Sequence, residues 1–181
     1  AVFMAQGISR ASLSTSHPRT GVCMATSGPG AMNLVTGIAD ANMDSVPVMA
    51  ITGQVSTNVI ATDAFQESDV VGVMMPLTKQ TYMPLSVNEI ETTIHEAMYV
   101  ASTGRGGPVV VDIPKDVQLQ ETDSVCDFDP RSCEPQLPGF FYSPSLDMDK
   151  LKQAVGMINR SERPIILCGH GVISSNAGPK L

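Results

Sequence analysis

Apolar residues along this chain follow two rhythms. Short apolar runs (Val22 to Ala25, Val46 to Ile51, Val109 to Ile113) alternate with stretches in which apolar positions recur every three or four residues. The first run meets a turn of small residues, Ser27-Gly28-Pro29-Gly30. A helical pattern follows, with Leu34 and Ile38 four apart and Val35 and Ala39 beside them. Asp44-Ser45 breaks that pattern, and the second run ends at Gly53-Gln54. This order predicts strand, tight turn, helix, strand: one βαβ unit. Both turns fall at the carboxyl ends of predicted strands, the edge at which open α/β sheets bind ligands.

The same reading extends in both directions. Residues 1–13 suit a helix in which Ala1, Val2, Ala5, Ile8 and Ser12 share a face, weakened by Gly7. Ser14 to Arg19 is a polar loop closed around Pro18. Val55 to Glu67 has no clean period and reads as a long loop, a kind that is often functional. Val70 to Met74 is a short apolar run, and Thr78 to Met83 is a candidate strand. Ser86, with Glu89 three residues on, predicts a capping box for a helix whose apolar face is Ile90, Ile94, Ala97, Met98 and Ala101. Gly104 to Pro108 ends that helix, and Val109-Val110-Val111 with Ile113 makes a buried strand of the parallel kind. Strands alternating with helices give the fold class: α/β, a parallel sheet flanked by helices.

From Gln118 to Ser145 the pattern dissolves, punctuated by Pro130, Pro135, Pro138 and Pro144. Asp147 then caps a helix with Met148, Leu151, Val155 and Ile158 on one face. Pro164 to Cys168 reads as a strand running into Gly169-His170-Gly171. The expected organisation is a first domain over 1–117, a linker over 118–145 and the start of a second α/β domain over 146–181. Ala1 is not an initiator methionine and already lies in a helical pattern, so a piece of a longer protein is expected.

Composition narrows the functional classes. The net charge of −7 speaks against a nucleic-acid or anionic-membrane partner, both of which need clustered Lys and Arg. No apolar run approaches the roughly 20 residues of a membrane span. Cys23, Cys126, Cys133 and Cys168 form no CxxC pair. Cys23 and Cys168 lie in predicted strands as buried free thiols, which favours a reducing compartment over a secreted one. His17, His95 and His170 have no metal-binding spacing, so no metal ligand is assigned in this chain. His95 is expected to face solvent. Gly169-x-Gly171 has Ser174 where a dinucleotide fingerprint has its third glycine.

Four segments together carry more than any one of them. They are A-T-S-G-P-G-A-x-N-L-V-T-G-I-A-D-A (Ala25 to Ala41), D-S-V-P-V-x-A-I-T-G-Q-V (Asp44 to Val55), T-D-A-F-Q-E (Thr62 to Glu67) and G-P-V-V-V-D-I-P-K-D (Gly107 to Asp116). In this order they closely resemble the acetohydroxyacid synthase (acetolactate synthase) family of thiamine-diphosphate enzymes. The resemblance runs through nearly the whole chain.

The resemblance implies a pyrimidine-binding domain lacking its start, a linker, and the opening of a middle FAD-binding domain. It implies decarboxylation of pyruvate and joining of the two-carbon unit to a second 2-ketoacid, in branched-chain amino-acid synthesis. Pro29 and Asn33 would touch the pyrimidine end of the cofactor. Phe65 and Gln66 would border the reaction pocket, Gln66 also near the cofactor, and Lys115 would lie near the pocket mouth. Arg105 would contact FAD, and Gly169 and Gly171 would flank its diphosphate, with His170 standing where the family has a smaller residue. The catalytic glutamate is expected upstream of Ala1, and the Mg²⁺ and diphosphate ligands in a domain outside this chain, so the fragment alone is expected to be inactive. A homodimer or higher oligomer, a possible regulatory subunit, and a bacterial cytoplasm or an organelle stroma or matrix complete the expectation. Two other readings stay open: another thiamine-diphosphate decarboxylase or carboligase, such as one acting on glyoxylate, and a non-catalytic relative.

Overall fold

The computed structural model describes residues 1–13, 15, 17–123, 135, 137, 138, 140 and 145–181. Most of the expected linker, with Cys126 and Cys133, lies outside the described residues, as do Ser14 and Ser16 of the polar loop. The chain divides into two compact units, Ala1–Pro138 and Gly139–Leu181.

The first unit opens with helix α1 (Val2–Ser12), followed by strand β1 (Gly21–Ala25), the short helix α2 (Pro29–Met32) and helix α3 (Val35–Met43). Strand β2 (Val48–Gln54), helix α4 (Val70–Met74), strand β3 (Gln80–Tyr82), helix α5 (Val87–Ser102), strand β4 (Pro108–Pro114) and the short helix α6 (Lys115–Gln118) complete it. The four strands form one sheet in the order β1-β2-β4-β3, and every pairing is parallel. The fold class read from alternating strands and helices is therefore the observed one.

Side-chain alternation sorts the sheet into two faces. On one, Cys23, Val48, Ala50 and Val110 pack with Val2 and Ala5 of α1, Ala31 of α2, Ile38 and Ala41 of α3, and Val70 and Met74 of α4. Met49, Val109 and Val111 belong to the other face, where α5 lies against β2, β3 and β4. All seven residues of β4 are buried, as a strand covered on both faces requires. Towards β1 the second face is open: Val22 is 43% and Met24 70% exposed.

Three local expectations need correction. The buried side of α1 is Val2, Ala5, Gln6, Ser9 and Ser12, while Ile8 faces out at 51% exposure. The helix is stitched down by polar bonds rather than by a large apolar residue. Ser9 Oγ donates to the Pro47 carbonyl at 2.6 Å and accepts from the Gly21 N–H at 2.8 Å, and Gln6 Nε2 donates to the Gly37 carbonyl at 2.7 Å. The approach is so close that a β-carbon on Gly21 would sit 2.0 Å from the Ala5 carbonyl oxygen. At the start of α5, Ser86 Oγ accepts from the Asn88 N–H, but Glu89 accepts from the Leu85 N–H at 2.9 Å and not from that of Ser86. The box is displaced by one residue. Its inner face is Ala97, Val100 and Ala101, with Ile90, Ile94 and Met98 only partly covered.

The third correction lies in the second unit. Asp147 does cap helix α7 (Met148–Arg160), its Oδ1 accepting from the Asp149 and Lys150 N–H groups. Pro164 to Cys168, however, is not a strand: Ile165 and Leu167 are 87% and 94% exposed, and Cys168 is exposed rather than buried. A strand exists through its neighbour, and the described residues of this unit offer none. Helix α8 (His170–Ser174) follows directly.

Candidate active site

The carboxyl ends of β1, β2 and β4 meet at a cleft of about 340 Å³. Met24, Ser27, Ile51, Gly53, Ile113 and Lys115 line it. The parallel registers put Ala25, Thr52 and Asp112 side by side, so the three strand ends reach the same edge together. Lys115, exposed at the first position of α6, brings a cation to this cleft.

Beside the cleft, the turn after β1 is shaped by Gly28, which has φ +57°. A β-carbon there would meet the Gln66 carbonyl oxygen at 2.5 Å. Only glycine satisfies both the left-handed backbone and this contact. The contact joins two segments far apart in sequence: the Gly-Pro-Gly turn and the loop carrying Phe65 and Gln66. Pro29 stands exposed at the first position of α2, and Asn33, one turn on, is exposed too. Phe65 is 89% exposed. The structure thus brings Pro29, Asn33, Phe65, Gln66 and Lys115 to one edge of the sheet, although Lys115 alone of these lines the cleft itself.

Behind that edge lies a buried network that the sequence reading missed. Asp112 of β4 is fully buried. Its Oδ1 accepts from Thr52 Oγ1 at 2.6 Å, and its Oδ2 from Gln54 Nε2 at 2.9 Å. Gln54 Nε2 also donates to the Ser68 carbonyl at 2.9 Å, which ties the network to the far end of the loop. Burial raises the Asp112 carboxyl, the bonds from Thr52 and Gln54 pull it down and the charge of Asp69 adds to the rise, so that together they push it up to about 6. The near end of the loop is held by Asp116, whose Oδ1 accepts from the Thr57 N–H at 3.0 Å and whose Oδ2 accepts from Thr57 Oγ1 at 2.5 Å. Those bonds hold the Asp116 carboxyl below the usual carboxylate range.

Arg105 lies elsewhere, between α5 and β4. Its Nε donates to Ser45 Oγ at 2.7 Å, and its Nη2 reaches the Asn42 and Met43 carbonyls at 3.5 Å. It therefore covers the C-terminal end of α3, where a cation complements the helix dipole. Of the three Arg105 guanidinium nitrogens, Nη1 alone has no hydrogen bond to a described residue. In the second unit, Gly169 and Gly171 flank His170 at the start of α8, and a β-carbon at either would meet nothing within 4 Å. His95 is half-buried on α5 rather than facing solvent. Among the described residues no cluster of His, Cys, Asp and Glu is built to hold a metal, and no helix is long and apolar enough to cross a membrane.

Residues 1–73 match the thiamine pyrophosphate enzyme N-terminal TPP binding domain. The acetolactate synthase large subunit of Corynebacterium glutamicum is 49% identical over 163 residues, covering 90% of this chain and 25% of that protein. A probable acetolactate synthase large subunit of Methanocaldococcus jannaschii is 46% identical over 181 residues, 100% of this chain and 29% of its own length. The chloroplastic acetolactate synthase 1 of Oryza sativa subsp. japonica is 46% identical over 177 residues, 96% of this chain and 26% of that protein. The chain thus spans between a quarter and a third of the length of these relatives.

Proposed function

The chain belongs to the acetolactate synthase large-subunit family of thiamine-diphosphate enzymes, and from that premise we propose that it supplies the pyrimidine-binding edge of a 2-ketoacid carboligase. The carrying observation is the contact between Gly28 and Gln66, which sets the Gly-Pro-Gly turn and the Phe65-Gln66 loop against each other at the carboxyl end of the sheet.

The residues at this edge fit thiamine diphosphate. Pro29 and Asn33 stand exposed at the turn, where a flat ring can lie against them, while the space that a β-carbon on Gly28 or Gly30 would take is filled by the Gln66 carbonyl and the Thr26 methyl. When bound, the cofactor supplies the carbanion chemistry by which pyruvate loses carbon dioxide and its two-carbon unit joins a second 2-ketoacid, giving acetolactate or acetohydroxybutyrate. Pro29 and Asn33 then orient the pyrimidine end. Phe65 and Gln66 border the space for the reacting ketoacid. Lys115, a cation at the cleft, attracts the ketoacid carboxylate.

Mg²⁺ and the diphosphate belong, in this reading, to residues outside this chain, as does the glutamate that faces the aminopyrimidine. On the resemblance alone, FAD is assigned to Gly169 and Gly171 of the second unit; on the same ground Arg105 of the first unit, through its Nη1, is assigned to FAD. The words "large subunit" in the relatives' names support a regulatory small subunit as partner, and a homodimer follows from the resemblance. Bacterial and chloroplastic relatives support a cytoplasmic or stromal setting. Product analysis of the full-length enzyme with pyruvate tests the reading: acetolactate is expected. Acetaldehyde would make it a decarboxylase, and absence of any ketoacid turnover would make it a non-catalytic relative.

A further inference from the structure

The loop between β2 and α4 has an unusual backbone. Ala61, Asp63 and Gln66 have φ of 67°, 58° and 60°, three of the five non-glycine residues with positive φ among those described. Residues with a β-carbon disfavour this region, and it persists only where surrounding groups over-determine it. The two ends of the loop are tied by Asp116 to Thr57 and by Gln54 to Ser68, but neither tie reaches residues 61–67.

Within that stretch Glu67 provides two of the three side-chain bonds to backbone, and Thr62 provides the third. One Glu67 carboxylate oxygen accepts from the Ala61 N–H and the other from the Ala64 N–H at 2.9 Å. The Glu67 N–H itself donates to the Ala64 carbonyl at 2.9 Å, and Thr62 Oγ1 donates to the Val59 carbonyl at 2.7 Å. The carboxylate thus closes a ring around Thr62 to Gln66. These backbone bonds, Ala61's first and then Ala64's, hold its carboxyl below the usual carboxylate range, so the clamp is charged at neutral pH. From this ring Phe65 projects outward, 89% exposed, while the Gln66 carbonyl is set against Gly28.

We propose that Glu67 is a positioning residue, whose carboxylate holds residues 61–67 in the shape that presents Phe65 and Gln66 to the 2-ketoacid. This rests on the functional reading above and deepens it. The bonded groups are backbone amides, so the role belongs to the acceptor pair and not to a general acid or base. Glutamine at this position keeps one acceptor oxygen and turns an amide N–H₂ towards the second N–H.

The test compares wild type, Glu67→Gln and Glu67→Ala in the full-length enzyme by amide hydrogen exchange and by kinetics with pyruvate. In Glu67→Ala, exchange over 61–67 should accelerate at least about tenfold while that of β2 and β4 stays unchanged. The Michaelis constant for pyruvate should rise about tenfold with kcat within about a factor of three. Glu67→Gln should fall between the two on both scales. A merely structural role would lower the yield of folded enzyme without this split. Unchanged exchange over 61–67 in Glu67→Ala overturns the clamp. Accelerated exchange with an unchanged Michaelis constant overturns its link to the substrate. If wild type turns over no ketoacid the functional reading fails instead, and the exchange comparison still decides the clamp.

Discussion

Asp112 is one carboxyl in the middle of a strand that is otherwise apolar, and it is buried with two donors aimed at it. Burial disfavours its charged form, and the donors from Thr52 and Gln54 compensate only in part. Its carboxyl therefore titrates near 6 in the fold against an ordinary 3.8. Between those values the folded state binds more protons than the unfolded chain, so this group's contribution to stability is full below about pH 4 and is lost as pH rises through 6. The shift corresponds to a loss of about 3 kcal/mol at most. Asp112→Asn removes the titration and sets an amide N–H₂ against the Gln54 N–H₂, a conflict worth about 1–3 kcal/mol. Urea unfolding of both proteins from pH 4 to 7 should show the wild-type advantage shrinking across that window. A pH-independent difference would mean that Asp112 titrates normally. In the sequence this residue was easy to pass over, because V-V-V-D-I reads as a buried run. A lone carboxylate in such a run is nonetheless a signal, since it can be buried there only with partners, and Thr52 and Gln54 lie on the same face of the neighbouring strand.

At the scale of elements, the C-terminal end of α3 gathers cations. Arg105 covers its last carbonyls and Ser45, while Arg10 of α1 pairs with Asp44 at 2.7 Å and lies 3.7 Å from Asp40. The pairs with Asp40 and Asp44 are exposed and contribute little. A cation on helix carbonyls contributes more, so Arg105→Ala should lower stability by about 1 kcal/mol. That is a fall in Tm of about 2–4 °C for a domain of this size. Under the proposed assignment of Nη1, the same variant also weakens FAD binding more than thiamine-diphosphate binding in the full-length enzyme. Equal loss of both cofactors, or undiminished FAD affinity, would restrict Arg105 to its helix. Elements were legible where a period ran long enough. Val35–Met43, Val87–Ser102 and Val109 to Ile113 showed theirs in the residues, whereas Val70–Met74 is too short to separate helix from strand. Pro164 to Cys168 failed for a different reason: an apolar run predicts a strand only if another strand is there to receive its hydrogen bonds. The inner side of α1 misled because Gln6 and Ser9 are buried for their bonds to neighbouring carbonyls, which hydrophobic periodicity does not register.

For the molecule as a whole, the order of strands and helices fixed in advance which edge of the sheet would matter. The parallel strands end together, and the Gly-Pro-Gly turn and Lys115 both fall at those ends. The Phe65-Gln66 loop was expected near this edge from a resemblance alone; its seating against Gly28 is a fact of tertiary packing that no local pattern carries. The pairings of the buried Thr52–Asp112–Gln54 network and of the Asp116 tie are not carried by local pattern for the same reason, because each joins residues more than fifty positions apart. The central claim is that this edge holds the pyrimidine end of thiamine diphosphate. The most direct measurement is an experimental structure of the full-length enzyme with thiamine diphosphate bound. The account predicts the aminopyrimidine ring against the Gly28-Pro29-Gly30 turn, within contact of Asn33 and with Gln66 beside it. A ring bound away from that turn, with Gly28 to Asn33 facing solvent, would contradict it.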